Sequence, residues 1–188
     1  MTTVNLPRHL LASVEKPARY TGGEWNSITK TVPEAAEQAL RPFLRYAFCY
    51  PDTYEIGMSN LALRILYHLL NERPDVGCER VFAPWTDMAD RMRSEGLPLF
   101  SLESRTPLHE FDLLGFTLQY ELAFTTVLEM LDLGRVPLRT AERTLADPFV
   151  MAGGPVVYNI EPMADFFDLI IIGEGEETWK ELLDYYVG

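Results

Sequence analysis

Cysteine, histidine and basic residues are all scarce in this 188-residue chain, which has two Cys, three His and 16 Lys plus Arg. Cys49 and Cys78 lie far apart and outside any C-x-x-C spacing. That excludes a disulfide framework, a zinc site or an iron-sulfur cluster built from this chain alone, and it fits a reducing cytoplasm. Against 28 acidic residues the basic ones leave a net charge of -12, so there is no cationic field for a phosphate backbone and no direct nucleic-acid binding is expected. Long apolar runs are missing as well. Phe166 to Ile172 is broken by Asp168 and is too short for a bilayer, and Met1 to Leu11 lacks a signal-peptide core, so no membrane role is expected. His9, His68 and His109 read as surface or capping residues, and no metal ligand is assigned. Internal repeats and low-complexity segments are absent.

What is present is a chain 47% apolar, enough for one well-buried domain with an appended segment. Residues 1–42 read as an N-terminal arm anchored by Trp25, followed by a short helix from Pro33 to Leu40 that Thr31 opens and Pro42 ends. From residue 43 to 188, strand and helix patterns alternate. Leu44 to Tyr50 is a central strand, and Leu61, Ile65, Leu66, Leu69 and Leu70 recur at helical spacing. Strands are expected at Glu79 to Ala83, Asp112 to Leu118, Phe149 to Ala152 and Asp168 to Ile172, with Leu97 to Phe100 a further short strand at an edge. Helices are expected at Asp87 to Glu95, Glu121 to Leu133 and Glu176 to Tyr186. Such alternation implies an α/β fold, a doubly wound, mostly parallel five-stranded sheet in the flavodoxin-like order 2-1-3-4-5.

Three connections carry the candidate chemistry, because ligands of such sheets bind at the strand C-termini, where the order reverses. Asp52, Tyr54 and Gly57 form D-x-Y-x-x-G after the first strand, where Gly57 would allow a tight turn and Ser59-Asn60 offer a helix cap. Thr117 and Gln119 end a second strand, and Gly153-Gly154 would let a flat or bulky ligand approach the backbone. Glu174 lies in Gly173-Glu174-Gly175-Glu176-Glu177, whose carboxylates suit a helix N-terminus and leave open a role facing a ligand or a following domain. Cys49 reads as a small buried hydrophobe. No catalytic residue is assigned.

D-x-Y-x-x-G, a Thr-containing strand end and G-G together resemble the cobalamin-binding domain pattern D-x-H-x-x-G, S-x-L, G-G, whose histidine ligates cobalt. Tyr54 stands at the histidine position, and Thr117 and Gln119 stand at the S-x-L positions. A phenol, with a pKa near ~10, is a poor cobalt ligand beside neutral imidazole. A longer set of motifs is similar to the N-terminal region of uncharacterised B12-binding-type radical SAM proteins: Tyr20 to Ser27, Pro51 to Leu70, Cys78 to Trp85, Gly115 to Glu121, Ala152 to Pro155 and Gly173 to Glu177. That resemblance implies a radical SAM barrel beyond residue 188, as an intramolecular partner with a C-x-x-x-C-x-x-C loop for a [4Fe-4S] cluster that cleaves S-adenosylmethionine. This chain has no such cysteine triplet.

Two functions follow from the resemblance. One is an accessory domain that holds cobalamin base-off, without a histidine ligand, through Asp52, Tyr54, Gly57, Thr117, Gln119, Gly153, Gly154 and Glu174. The other is a degenerate domain of the same fold, without cofactor, that serves as a docking or substrate-positioning scaffold. A free-standing FMN protein fits less well, because the first loop lacks a Ser/Thr-rich phosphate cradle.

Overall fold

The computed structural model describes residues 2–31 and 43–187. The helix expected from Pro33 to Leu40 lies outside the described residues. Five parallel strands, β1 (Leu44–Tyr50), β2 (Val76–Phe82), β3 (Leu113–Thr117), β4 (Phe149–Gly153) and β5 (Leu169–Ile170), form one sheet in the order β2-β1-β3-β4-β5. This is the doubly wound order read from the alternation. The arm contributes a short helix, α1 (Arg8–Ala12). The other helices are α2 (Tyr54–Ser59), α3 (Leu61–Glu72), α4 (Thr86–Glu95), α5 (Ala123–Leu133) and α6 (Gly175–Val187).

The pleat divides the core. Ala47, Cys49, Val81, Leu114, Phe116 and Ala152 point to one face and pack with Met88 and Met92 of α4 and Val127 and Met130 of α5. Tyr46, Phe48, Cys78, Leu113 and Met151 point to the other, where Leu63 and Tyr67 of α3 and Leu183 of α6 cover them. Both cysteines are fully buried free thiols whose pKa is pushed well up by burial, which makes them poor nucleophiles. Gly115 is required on the second face. A Cβ there would sit 1.6 Å from the Tyr46 hydroxyl oxygen, itself buried with no hydrogen-bond partner among the described residues.

Local signals act as their chemistry dictates. The Asn60 side chain accepts the Leu63 N–H at 3.0 Å and so starts α3. Gly96 ends α4 in the left-handed region (φ 65°), and Leu97 N–H returns to the Met92 carbonyl at 2.8 Å. Lys30 Nζ donates to the carbonyls of Asn71, Arg73 and Val76 at 2.6–2.7 Å, a cation closing the C-terminus of α3 from the arm.

Three expectations are corrected. Leu97 to Phe100 does not form a strand. Pro98 removes a donor there, and the segment retains one antiparallel bridge, Phe100 to Pro107, while Leu102 N–H bonds the Arg80 carbonyl on the open edge of β2. Trp25 does not anchor the arm, since its side chain is fully exposed. Val4, Leu6, Leu10, Val14 and Tyr20 are the buried residues of the arm among those described, and the Tyr20 hydroxyl accepts the Trp85 N–H at 3.1 Å. Finally, β5 is only two residues long within the span expected from Asp168 to Ile172.

A buried ion pair ties the arm to the sheet edge. Arg80 Nε donates to Glu103 Oε1 at 2.6 Å, and Glu103 Oε2 accepts the Arg80 N–H at 2.7 Å, with both side chains wholly buried. The guanidinium lies over the Tyr67 ring, 4.4 Å from its centroid, and donates to Asn26 Oδ1 and Ser27 Oγ at 3.3 and 3.2 Å. Burial pushes the Glu103 carboxyl up to about 7.

Candidate functional site

Because all five strands are parallel, their C-termini share one edge, and the order reverses between β1 and β3. Cys49 pairs with Phe116 and Thr117 with Gly153, so the connections after β1, β3 and β4 meet there. The Asp52 backbone is fixed by its N–H to the Tyr50 carbonyl at 2.8 Å and by its own carbonyl, which accepts the Ala83 N–H at 3.0 Å. Its Oδ1 accepts the Thr53 N–H at 2.6 Å. Thr117 is buried, and its hydroxyl accepts from Gln119 Nε2 at 2.9 Å. Leu118 N–H bonds the Gly153 carbonyl at 2.8 Å.

The two adjacent glycines do different work. Gly154 has φ 110°, and a Cβ there would lie 2.5 Å from the Leu118 carbonyl oxygen, so its role is to let the β3 and β4 connections touch. A Cβ on Gly153 would meet nothing closer than 3.9 Å. Gly153 is partly exposed, and a Cβ there would make only ordinary contact with Ile171.

Asp52, Thr117, Gln119, Gly153 and Gly154 thus gather at the switch point, whereas the other three sequence-derived residues lie around it. Tyr54 turns toward the arm. Its hydroxyl donates to Glu24 Oε1 at 3.2 Å and its ring meets Phe82 edge-on at 5.6 Å, while burial and Glu24 raise its pKa. Gly57 does not serve a tight turn. It is a buried residue of α2, and a Cβ would lie 2.2 Å from the Phe82 ring, so its absence of a side chain allows close packing. Glu174 is exposed beyond β5, and its carbonyl accepts the Thr178 hydroxyl at 3.1 Å.

Sequence reading places Tyr120 in the turn facing the first loop but gives it no role. Its hydroxyl donates to Asp52 Oδ2, joining the loop after β3 to the loop after β1 across the switch point. That bond, with burial second, pushes the phenol up to about 12, so it remains a donor at neutral pH. An aromatic directly after a β3 end was the available signal. A second missed feature is the apolar rim. Every strand is followed by a large exposed hydrophobe: Ile56 after β1, Trp85 after β2, Leu122 after β3, Tyr158 after β4 and Ile172 after β5, with Leu122 85% and Tyr158 77% exposed. Imidazole is absent from this edge. His9 pairs with Glu95, His68 with Glu72 on α3, and His109 precedes β3 with Nδ1 3.1 Å from the Gly134 carbonyl.

The sequence profile described as "Radical SAM proteins, N-terminal" matches residues 62–188. The chain belongs to this family. It is also 26% identical over 131 residues to an uncharacterized protein of Methanocaldococcus jannaschii, an alignment covering 69% of this chain and 24% of that protein. The chain therefore spans about a quarter of that relative's length. Among solved structures, a cobalamin-binding protein from Desulfitobacterium hafniense superposes with a TM-score of 0.41 at 16% identity, over 78% of this chain and 59% of that one. A likeness that loose says nothing about a ligand here. As a radical SAM N-terminal domain, the chain has no helix among its described residues long and apolar enough to cross a membrane, and no described cluster of three or more His, Cys, Asp or Glu suited to a metal.

Proposed function

We propose that this domain is the corrinoid-holding accessory module of a radical SAM enzyme, binding cobalamin at the strand C-terminal edge without a histidine ligand to cobalt. The observation that carries this reading is the combination of a partly exposed Gly153, where a Cβ would meet no close atom, with apolar side chains exposed after all five strands. A flat macrocycle with apolar faces and polar amide margins fits such a surface. Gly153 would admit the ring to the backbone, Asp52, Thr117 and Gln119 would meet its polar margin, and Gly154 would hold the β3 and β4 connections together beneath it. Gly57 and Tyr54 would support the first loop from behind, and Glu174 would lie toward the following domain. When bound, the corrinoid would supply cobalt-centred group-transfer chemistry to a barrel elsewhere in the parent protein, where the [4Fe-4S] cluster and S-adenosylmethionine would reside. This chain's part is to bind, orient and shield it. With all three histidines held elsewhere, the cobalt would have no imidazole from the domain.

One observation favours a second reading, a cofactor-free scaffold: Tyr54, at the position of the histidine in the cobalamin-binding pattern, is engaged with Glu24 and Phe82 rather than with the switch point. Gel filtration of the purified chain with hydroxocobalamin, followed by visible spectroscopy, separates the two. The corrinoid module co-elutes with a base-off spectrum at neutral pH, whereas the scaffold elutes colourless.

A further inference from the structure

Resting on that reading, we propose that Tyr120 is a ligand-contacting gate: bonded to Asp52 it closes the switch point, and on swinging away it gives an entering corrinoid both its own phenol and the Asp52 carboxylate. Among the described contacts, the Tyr120 side chain is the one polar bridge from the β3 loop to the β1 loop at this edge. Everything beneath it is fastened independently. Leu118 is held by Gly153, Gln119 by Thr117, and Asp52 by Tyr50, Thr53 and Ala83. Tyr120 itself is 38% exposed, and its neighbour Leu122 is 85% exposed, so the ring has solvent into which it can turn. Opening therefore costs one charge-assisted hydrogen bond and leaves the sheet intact.

The exchange is chemically matched. Asp52 loses a phenolic donor and accepts N–H groups from the carboxamides at a corrinoid margin. Tyr120 loses an acceptor and can donate to an amide carbonyl or lay its ring along the macrocycle. The phenol stays protonated in the closed state, so closure persists across neutral pH.

Two measurements on Tyr120→Phe test this. The first needs no ligand: hydrogen exchange of the free chain should quicken in segments 51–57 and 118–124 while the thermal midpoint falls by no more than about 3–6 °C, the loss expected for one such bond. Unchanged exchange there would overturn the gate, whether or not a corrinoid binds. The second is stopped-flow binding of hydroxocobalamin, in which Tyr120→Phe should associate about tenfold faster, the factor expected for removing one hydrogen bond to a carboxylate partly open to water. Asp52→Asn in the same assay should weaken equilibrium binding through faster dissociation, because an amide is a weaker acceptor for the corrinoid carboxamides than a carboxylate. If wild type binds hydroxocobalamin and Tyr120→Phe binds at an equal rate, the gate is refuted while the corrinoid module stands. If wild type fails to bind, the module is refuted, and the exchange data alone decide whether Tyr120 closes this edge.

Discussion

Replacing Glu103 with alanine should destabilise this domain more than loss of an ordinary surface ion pair, because the Arg80 guanidinium it leaves behind has no route to water. Both side chains are wholly buried, and Glu103 meets Arg80 twice, at Nε and at the backbone N–H. Asn26, Ser27 and Tyr67 remain around the cation, but none carries a negative charge. Breaking a buried pair from one side costs about 3–5 kcal/mol, against a total stability of roughly 5–15 kcal/mol for a domain. For a chain of this length that corresponds to a fall in Tm of about 6–20 °C. Urea unfolding at pH 8, where the carboxylate is ionised in the wild type, measures it. Hydrogen exchange should also quicken at residues 24–28, since Arg80 is what those arm residues bind. The double replacement Arg80→Met with Glu103→Leu should recover most of the loss, because an apolar pair of similar volume leaves no stranded charge. A Glu103→Ala penalty below about 1 kcal/mol would refute the reasoning, as that is the scale of an exposed pair.

Glu103 should also give stability a pH dependence of definite sign. Burial raises its pKa from 4.5 to about 7, so the proton-linked part of its stability is complete below about 4.5 and is lost as pH rises through 7, while the charge pairing with Arg80 remains above it. The urea midpoint of wild type should therefore fall across that window while that of Glu103→Gln lacks the decline, and equal slopes in the two proteins would count against it. The glycines make a paired prediction. Gly153→Leu should fold like wild type and lose hydroxocobalamin binding, since a Cβ there makes only ordinary contact with Ile171 and the side chain adds bulk at the proposed site. Gly154→Ala should lower stability by about 1–3 kcal/mol through strain at φ 110° and collision with Leu118, whatever it does to binding, as thermal melts would record. Normal binding by Gly153→Leu would place any ligand elsewhere.

Periodicity and turn chemistry made the α/β alternation, its likeness to a five-stranded parallel sheet and the places of the strand ends legible from the sequence, because those signals are local: apolar runs in Leu44–Tyr50, the i, i+4 spacing after Leu61, the Asn60 cap and the Gly96 stop. The family was legible for the same reason, since its motifs sit in the connections that follow the strands. Other features depended on partners distant in sequence, and only the tertiary structure decided them. Gly57 resembles a turn residue until Phe82, 25 positions later, is found against it. Trp25 resembles an anchor until Tyr20 and the Arg80 hub are seen to hold the arm in its place. Arg80 and Glu103, 23 positions apart, become a buried pair only because the 100–107 segment folds over the β2 edge. Likewise the bond between Tyr120 and Asp52 spans 68 positions and exists because the sheet order sets β1 beside β3. A sequence determines which segments are strands, helices and turns through interactions a few residues long, whereas strand order and long-range contact determine which polar groups meet, and so whether the edge at Asp52 stands open or closed.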